Sequence, residues 1–210
     1  MKRVCFLFSI ILIMLSFTKS DISSTKNNII VIDAGHGGMD SGCVYENIYE
    51  ADINLSIANM LEYIFISNGY DVIMTRRTKD SLCEGEFNKK EDLNKRIDII
   101  NSSNGAMCIS IHLNMFSIGK YKGAQVFYSN NNPNNQRLAR NIQRSIKNIL
   151  DNTNREEKNI ETIYILNRIS IPSVIVECGF LSNDEERSLL INEDYQALIA
   201  YSIYYGCIKK

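Results

Sequence analysis

The sequence has no long block of like charge. Its 210 residues carry 23 basic and 24 acidic side chains, which gives a formal net charge of −1. Capturing nucleic acid requires a clustered excess of Lys and Arg, because the phosphate backbone is bound mainly through its charge. We therefore expect no nucleic-acid partner.

The cysteines lack the close pairing of a disulfide framework or a structural zinc site. Cys5 lies in the amino-terminal apolar run, and the other five are odd in number and widely spaced: Cys43, Cys83, Cys108, Cys178 and Cys207. Disulfide-stapled domains are short and rich in evenly numbered cysteines, and structural zinc sites place two cysteines a few residues apart. We expect these side chains to act as small hydrophobic groups.

Internal repeats, low-complexity linkers and a second domain are also missing from the sequence. The length suits one medium domain, and 45% hydrophobic with 22% charged residues excludes disordered, collagenous and coiled-coil chains. We expect one domain over residues 29–210.

The first 20 residues have the pattern of an export signal. Lys2 and Arg3 precede an uncharged apolar run over 4–18. This run is short for a transmembrane helix but suits a secretory signal, and the small residues around Ser20 favour cleavage after it. An uncleaved membrane anchor is the alternative, so any membrane contact is expected only through residues 1–20. Removal of the signal leaves 20 basic and 24 acidic residues, a net charge of −4.

Short apolar segments alternate with segments of helical periodicity along the rest of the chain. This alternation predicts a single layered α/β domain in which helices flank a mostly parallel central sheet. Strands are predicted at 29–34, 70–74, 106–112, 123–128, 163–166 and 173–178, and helices around 53–64, 93–100 and 138–149 and within 184–210.

The only two histidines of the chain both fall where predicted strands end. His36 follows the first strand, His112 ends the third, and Glu177 lies near the end of a later one. The carboxyl ends of parallel strands form the ligand crevice of such sheets. Two imidazoles and a carboxylate with an open fourth position suit catalytic zinc. A single histidine beside a strand is, however, commonly a structural hydrogen-bonding residue.

Five acids lie close enough to His36 to complete such a site: Asp33, Asp40, Glu46, Glu50 and Asp52. Glu50 is preferred because it begins the helix after the glycine-rich loop and can point back to the strand ends. Asp52 is placed to cap that helix. Spacing alone leaves all five open.

Two other features have simpler interpretations. The glycine cluster at 35–38 fits a tight turn or a phosphate-binding loop, although it lacks the Lys-Ser/Thr signature of the latter. The pair Arg76 and Arg77 is predicted to lie at a solvated strand end.

Four segments together resemble a known family, the zinc-dependent N-acetylmuramoyl-L-alanine amidases. They occur in the order found in that family and span almost the whole predicted domain: 31–40, 50–55, 110–114 and 176–183. Two residues depart from the family's pattern. Leu113 stands where a small residue is common, and Cys178 where an apolar residue is usual.

The resemblance implies roles for four residues. His36, Glu50 and His112 would be the ligands of one zinc ion per chain, and Glu177 would be the catalytic carboxylate. The substrate would be peptidoglycan, and the reaction would cleave the amide bond between N-acetylmuramic acid and L-alanine. Two rivals remain: another exported zinc metallohydrolase of exopeptidase type, and a noncatalytic wall-binding protein. Retention of Glu177 argues against the second.

The resemblance also implies a place of action. Short length and a leader without wall-binding repeats are most similar to the sporulation amidases, which prepare muramic-δ-lactam in the spore cortex. The expected location is therefore extracytoplasmic, in the cell wall or the forespore intermembrane space. A mature charge of −4 does not attract the anionic wall. We therefore expect localisation or full activity to depend on the amino-terminal segment, if it is retained as an anchor, or on a separate accessory or targeting protein.

Overall fold

A central sheet of six strands organises residues 28–209, the part of the chain that the computed structural model describes. The predicted export signal lies outside these residues. The strands are β1 (Ile29–Ala34), β2 (Val44–Tyr45), β3 (Ile48–Tyr49), β4 (Asp71–Met74), β5 (Met107–Asn114), β6 (Gln125–Tyr128), β7 (Lys158–Asn159) and β8 (Ser173–Phe180). The helices are α1 (Glu50–Ser67), α2 (Lys89–Ser102), α3 (Asn135–Leu150), α4 (Asp184–Leu190) and α5 (Glu193–Ile208).

The strand order is β4-β1-β5-β8-β6-β7, and β2 pairs with β3 in a separate hairpin. Strands β4, β1, β5 and β8 are parallel to one another, whereas β6 is antiparallel to β8. The predicted mostly parallel α/β sheet is confirmed. Because β1, β5 and β8 occupy its centre, their carboxyl ends meet at one edge.

Helices cover both faces of the sheet, so its central strands are apolar on both sides. On one face, Ile30 and Ile32 of β1 pack in a large core with α1, α3 and α5. On the other, Val31 packs in a smaller core with α2. Among the described residues, no helix is long and apolar enough to cross a membrane.

The predicted strand at 163–166 is wrong. These residues form turns, and the nearby strand β7 is at Lys158–Asn159. Ile165 and Leu166 are nevertheless buried, because the turns place them against the same sheet face as α2. A run of apolar residues indicates that the segment is buried, but it does not show that the segment is a strand. Here the side chains are buried although the backbone does not pair with a neighbouring strand.

The expectation that the cysteines are unpaired is confirmed for the described residues. All five there are free, and Cys108 and Cys178 are buried as small apolar side chains.

Candidate active site

The ends of β1, β5 and β8 bring three of the predicted site residues together. His112 of β5 pairs in register with Glu177 of β8. Because paired residues of neighbouring strands project to the same face of a sheet, their side chains lie side by side. His36 follows β1, and its ring lies edge-on to that of His112, with centroids 4.9 Å apart.

Glu50, the first residue of α1, lies between the two histidines. Its Oε1 atom is 3.3 Å from Nε2 of His36 and 3.1 Å from Nδ1 of His112. The carboxylate is 1% exposed. It also accepts hydrogen bonds from the backbone N–H groups of Cys43 (2.7 Å) and Leu113 (3.0 Å). These donors fix both carboxylate oxygens toward the strand ends.

The electrostatics of Glu50 favour the ionised form. Burial by itself would raise the pKa of this carboxyl, but hydrogen bonds from His112 and His36 outweigh burial and hold the pKa well below its usual range. The pKa of His36 shifts in the opposite direction. Burial lowers the pKa of His36, but contacts with Asp40 and Glu50 prevail and raise it to about 9. A metal ion binding here must displace that proton.

The structure separates the other candidate acids from this position. Asp33 lines the same cleft as the histidines, but its carboxylate binds Arg96, Thr75 and Ser110. Asp40 contacts His36 on the outer side, with Oδ2 3.0 Å from Nδ1. It therefore orients the ring without approaching His112 in the described contacts.

Glu46 and Asp52 lie on the surface. Glu46 is an exposed residue of the turn between β2 and β3, where its φ is +51°. Asp52 pairs with Lys79 at 2.7 Å. The prediction that Asp52 caps α1 is wrong, because the capping position is Tyr49 and Asp52 lies in the first turn.

Glu177 differs from Glu50 in having little to stabilise its charge. Its Oε2 atom is shielded from solvent and has no hydrogen-bond partner among the described residues. Burial raises the pKa to about 7; the nearby His112 works against this rise and Glu50 adds to it. A carboxyl group that exchanges a proton near neutral pH is suited to general acid–base catalysis.

Two adjacent clefts share the histidines and Glu177 in their walls. One, of about 240 Å³, is lined by Leu93 and Tyr164 on the α2 side. The other, of about 370 Å³, is lined by Gly42 and Met115. Both clefts include His36, His112 and Glu177 in their walls. An extended ligand can therefore pass across these side chains.

His36, Glu50 and His112 form a group that could hold a metal ion, since one ligand atom from each lies within 4.8 Å of the others. Neutral imidazole and carboxylate are ligands for several first-row metals. Asp40 supplies the outer partner that metal-binding histidines usually have.

Two buried arginines beside this group were missed by the sequence reasoning. Arg76 is 3% exposed and Arg96 is 1% exposed, and both donate hydrogen bonds to the loop that carries His36. The prediction of a solvated strand end is wrong for Arg76 and holds for the exposed Arg77. Asp33 was the available signal, because an acid inside a buried apolar run needs a partner of opposite charge.

Comparison with known proteins identifies the relatives of this chain. The family model described as N-acetylmuramoyl-L-alanine amidase matches residues 30–209. A germination-specific N-acetylmuramoyl-L-alanine amidase of Bacillus subtilis is 36% identical over 214 residues, which cover 96% of this chain and 90% of that protein.

Solved structures agree with this result. The CwlD amidase of Clostridioides difficile, determined in complex with the GerS lipoprotein, is 42% identical with a TM-score of 0.81, and the match covers 86% of this chain and 96% of that one. The catalytic domain of the amidase CwlV from Bacillus (Paenibacillus) polymyxa var. colistinus is 27% identical with a TM-score of 0.75, over 85% and 95% of the two chains.

Proposed function

Since the chain belongs to the N-acetylmuramoyl-L-alanine amidase family, we propose that it hydrolyses the amide bond between N-acetylmuramic acid and L-alanine with one zinc ion per chain. His36, Glu50 and His112 are the proposed ligands, and Glu177 is the proposed catalytic carboxylate. The observation that carries the proposal is the convergence of both imidazoles on one oxygen of Glu50.

The spacing of the Glu50 oxygen from each imidazole fits zinc. Two ligand atoms that each lie about 2.0 to 2.1 Å from a tetrahedral zinc ion are about 3.3 Å from each other. The Glu50 oxygen is 3.3 Å from Nε2 of His36 and 3.1 Å from Nδ1 of His112. Zinc bound there supplies Lewis acidity, which polarises an amide carbonyl and lowers the pKa of water.

The protein residues then have distinct tasks. Glu50 offers an ionised carboxylate that its backbone donors hold in place. Glu177 takes a proton from the attacking water and delivers it to the departing nitrogen of L-alanine. In the metal-free protein, burial raises the pKa of this carboxyl to about 7. A binding site alone would not need a carboxylate with a shielded oxygen, Oε2, that lacks a hydrogen-bond partner among the described residues, since such shielding is costly.

The two clefts suit a branched polymer. Peptidoglycan carries its peptide on the lactyl group of a sugar chain, so the scissile amide joins two large groups. The two clefts that share Glu177 are the proposed places for the glycan and the peptide.

The test combines metal analysis with product analysis. Purified full-length protein is expected to hold one zinc ion and to release peptides with a free L-alanine amino terminus from peptidoglycan. His112→Ala is expected to lose zinc while remaining folded, and Asp52→Ala, which removes an exposed acid, should keep it. Stoichiometric zinc in His112→Ala would refute the ligand assignment. Cleavage of free peptides without sugar would instead support an exopeptidase.

We further infer an extracytoplasmic role in spore cortex maturation, assisted by an accessory protein. Two observations support this: one relative is a germination-specific amidase, and the CwlD amidase was determined in complex with a lipoprotein. Deleting the gene in the producing organism should remove muramic-δ-lactam from its spore peptidoglycan. Spores with normal muramic-δ-lactam content would refute this role.

A further inference from the structure

Two arginines hold three successive carbonyl groups of the loop that carries His36. Both donate to the carbonyl of Ala34, Arg96 at 2.7 Å and Arg76 at 2.8 Å. Arg76 also donates to the carbonyl of Gly35 at 2.9 Å. Arg96 reaches the carbonyl of His36 itself at 2.5 Å. We call this arrangement, Arg76 and Arg96 on the carbonyls of residues 34–36, the arginine clamp.

The arginine clamp binds the backbone at a residue with an unusual conformation. His36 has a φ of +62°, in the left-handed region that disfavours residues with a Cβ atom. This conformation turns the chain sharply after β1 and directs the imidazole of His36 to Glu50. Strained backbone of this kind persists only where the surroundings over-determine it. The clamp supplies that constraint, because two rigid guanidinium groups bind the carbonyl groups of residues 34–36.

The clamp is itself fixed by buried acids. Arg96 pairs with Asp33 at 2.8 Å and with Asp92 at 2.6 Å. Asp33 and Asp92 are 1% and 5% exposed. Asp92 also accepts a hydrogen bond from the backbone N–H of Leu82. Two arginines and two aspartates thus balance in charge, and each guanidinium has donors left for the loop carbonyls.

We propose that Arg96, with Arg76, is a positioning residue for the metal ligand His36. This inference rests on the proposed function, because it requires that His36 binds metal. Neither arginine contacts the imidazole in the described structure, so the effect passes through the backbone. Lysine cannot replace Arg96 here, because an ammonium group keeps the charge that Asp33 needs but lacks the planar fork that reaches several acceptors at once.

Arg96→Lys in the full-length protein is the direct test. We expect its zinc affinity, measured by chelator competition, to fall about 10- to 100-fold, as when other outer partners of metal ligands are removed. The cobalt-loaded variant should show a weaker visible absorption than wild type, since a displaced His36 leaves cobalt with fewer protein ligands. Arg76→Lys should change both measurements in the same direction.

The control separates positioning from stability. Ile146→Val removes one methyl group from the core at α3, a helix that packs against α5, β6 and β8, and should leave zinc affinity and the cobalt spectrum at wild-type values. Arg96→Lys with wild-type affinity and spectrum would overturn the inference, and so would an equal loss of affinity in Ile146→Val. If Arg96→Lys does not fold, Arg76→Lys decides between the same outcomes.

The proposed function fails in a different way. Wild-type protein that holds no zinc, or His36→Ala that binds zinc as tightly as wild type, would refute the metal site itself. Zinc in wild type, its loss in His36→Ala and unchanged affinity in both arginine variants would refute the clamp alone.

Discussion

The carboxyl group of Glu177 should destabilise the metal-free protein above neutral pH. Its pKa is raised by burial, so the folded protein retains the proton at a pH where the unfolded chain has lost it. For an acid with a raised pKa, stability is greatest below the pKa of the unfolded chain. It is lost as the pH rises toward the pKa of the folded state. Glu177→Gln removes this titration and should therefore gain stability relative to wild type as the pH rises.

The size of the effect follows from the two pKa values. The pKa of Glu177 rises from 4.5 to about 7 on folding, and one pKa unit corresponds to about 1.4 kcal/mol. Between pH 5 and pH 8 the free energy of unfolding of wild type should fall by about 2 to 3 kcal/mol relative to Glu177→Gln. Urea denaturation of chelator-treated protein at several pH values measures this difference.

Two comparisons make the result specific to the site. Glu185→Gln changes an acid whose side chain is 77% exposed, and its stability difference from wild type should not vary with pH to this extent. Added zinc should reduce the effect for Glu177, since a nearby cation stabilises the carboxylate. A stability difference between wild type and Glu177→Gln that stays constant from pH 5 to pH 8 would refute the reasoning.

Three further outcomes are expected. Glu177→Gln should keep zinc but lose turnover by about a hundredfold or more, because it cannot transfer the proton; near-normal peptidoglycan cleavage would assign that transfer to another group. Gly42→Ala should lose zinc affinity, since the new Cβ would lie 2.5 Å from Oε2 of Glu50, whereas Gly69→Ala is strained by a similar positive φ but meets no atom within 4 Å; equal zinc affinity in the two alanine variants would contradict this. Phe65→Ala should cost about 3 to 5 kcal/mol in urea denaturation because the ring is fully buried, while zinc stoichiometry stays at the wild-type value.

The central strands could be predicted because a strand that is buried on both faces consists mostly of apolar residues. Strands β1, β5 and β8 are buried on both faces and therefore appear as continuous apolar runs. The hairpin of β2 and β3 has no such apolar run, since each strand has only two residues and is only partly buried. The run at 163–166 misled for the opposite reason, because its apolar side chains are buried by a turn.

The two histidines could be expected near each other, since the ends of neighbouring parallel strands fix their positions. Glu50 could not be chosen on the same grounds. It reaches the histidines because the chain between β1 and α1 folds back, with the backbone N–H of Glu50 bonded to the carbonyl of Cys43 and that of Cys43 bonded to the Glu50 side chain. The conformation of such a loop depends on specific contacts between residues, and the periodicity of apolar residues in the sequence does not reveal them. Its place at the start of the helix made Glu50 the preferred acid, and the resemblance to the amidases selected it from the five.

A buried arginine could have been expected from the position of Asp33. Asp33 lies within an apolar run, and an ionised carboxylate in a sheet core is tolerated only when it is paired. That argument demands a buried cation without saying which one. Asp92 and Arg96 stand four residues apart on α2, a spacing usual for an exposed helical pair, yet both are buried here. The arginine of this buried pair also contacts a second acid. In this fold that acid is Asp33, and the same arginine continues from it to the carbonyl of His36.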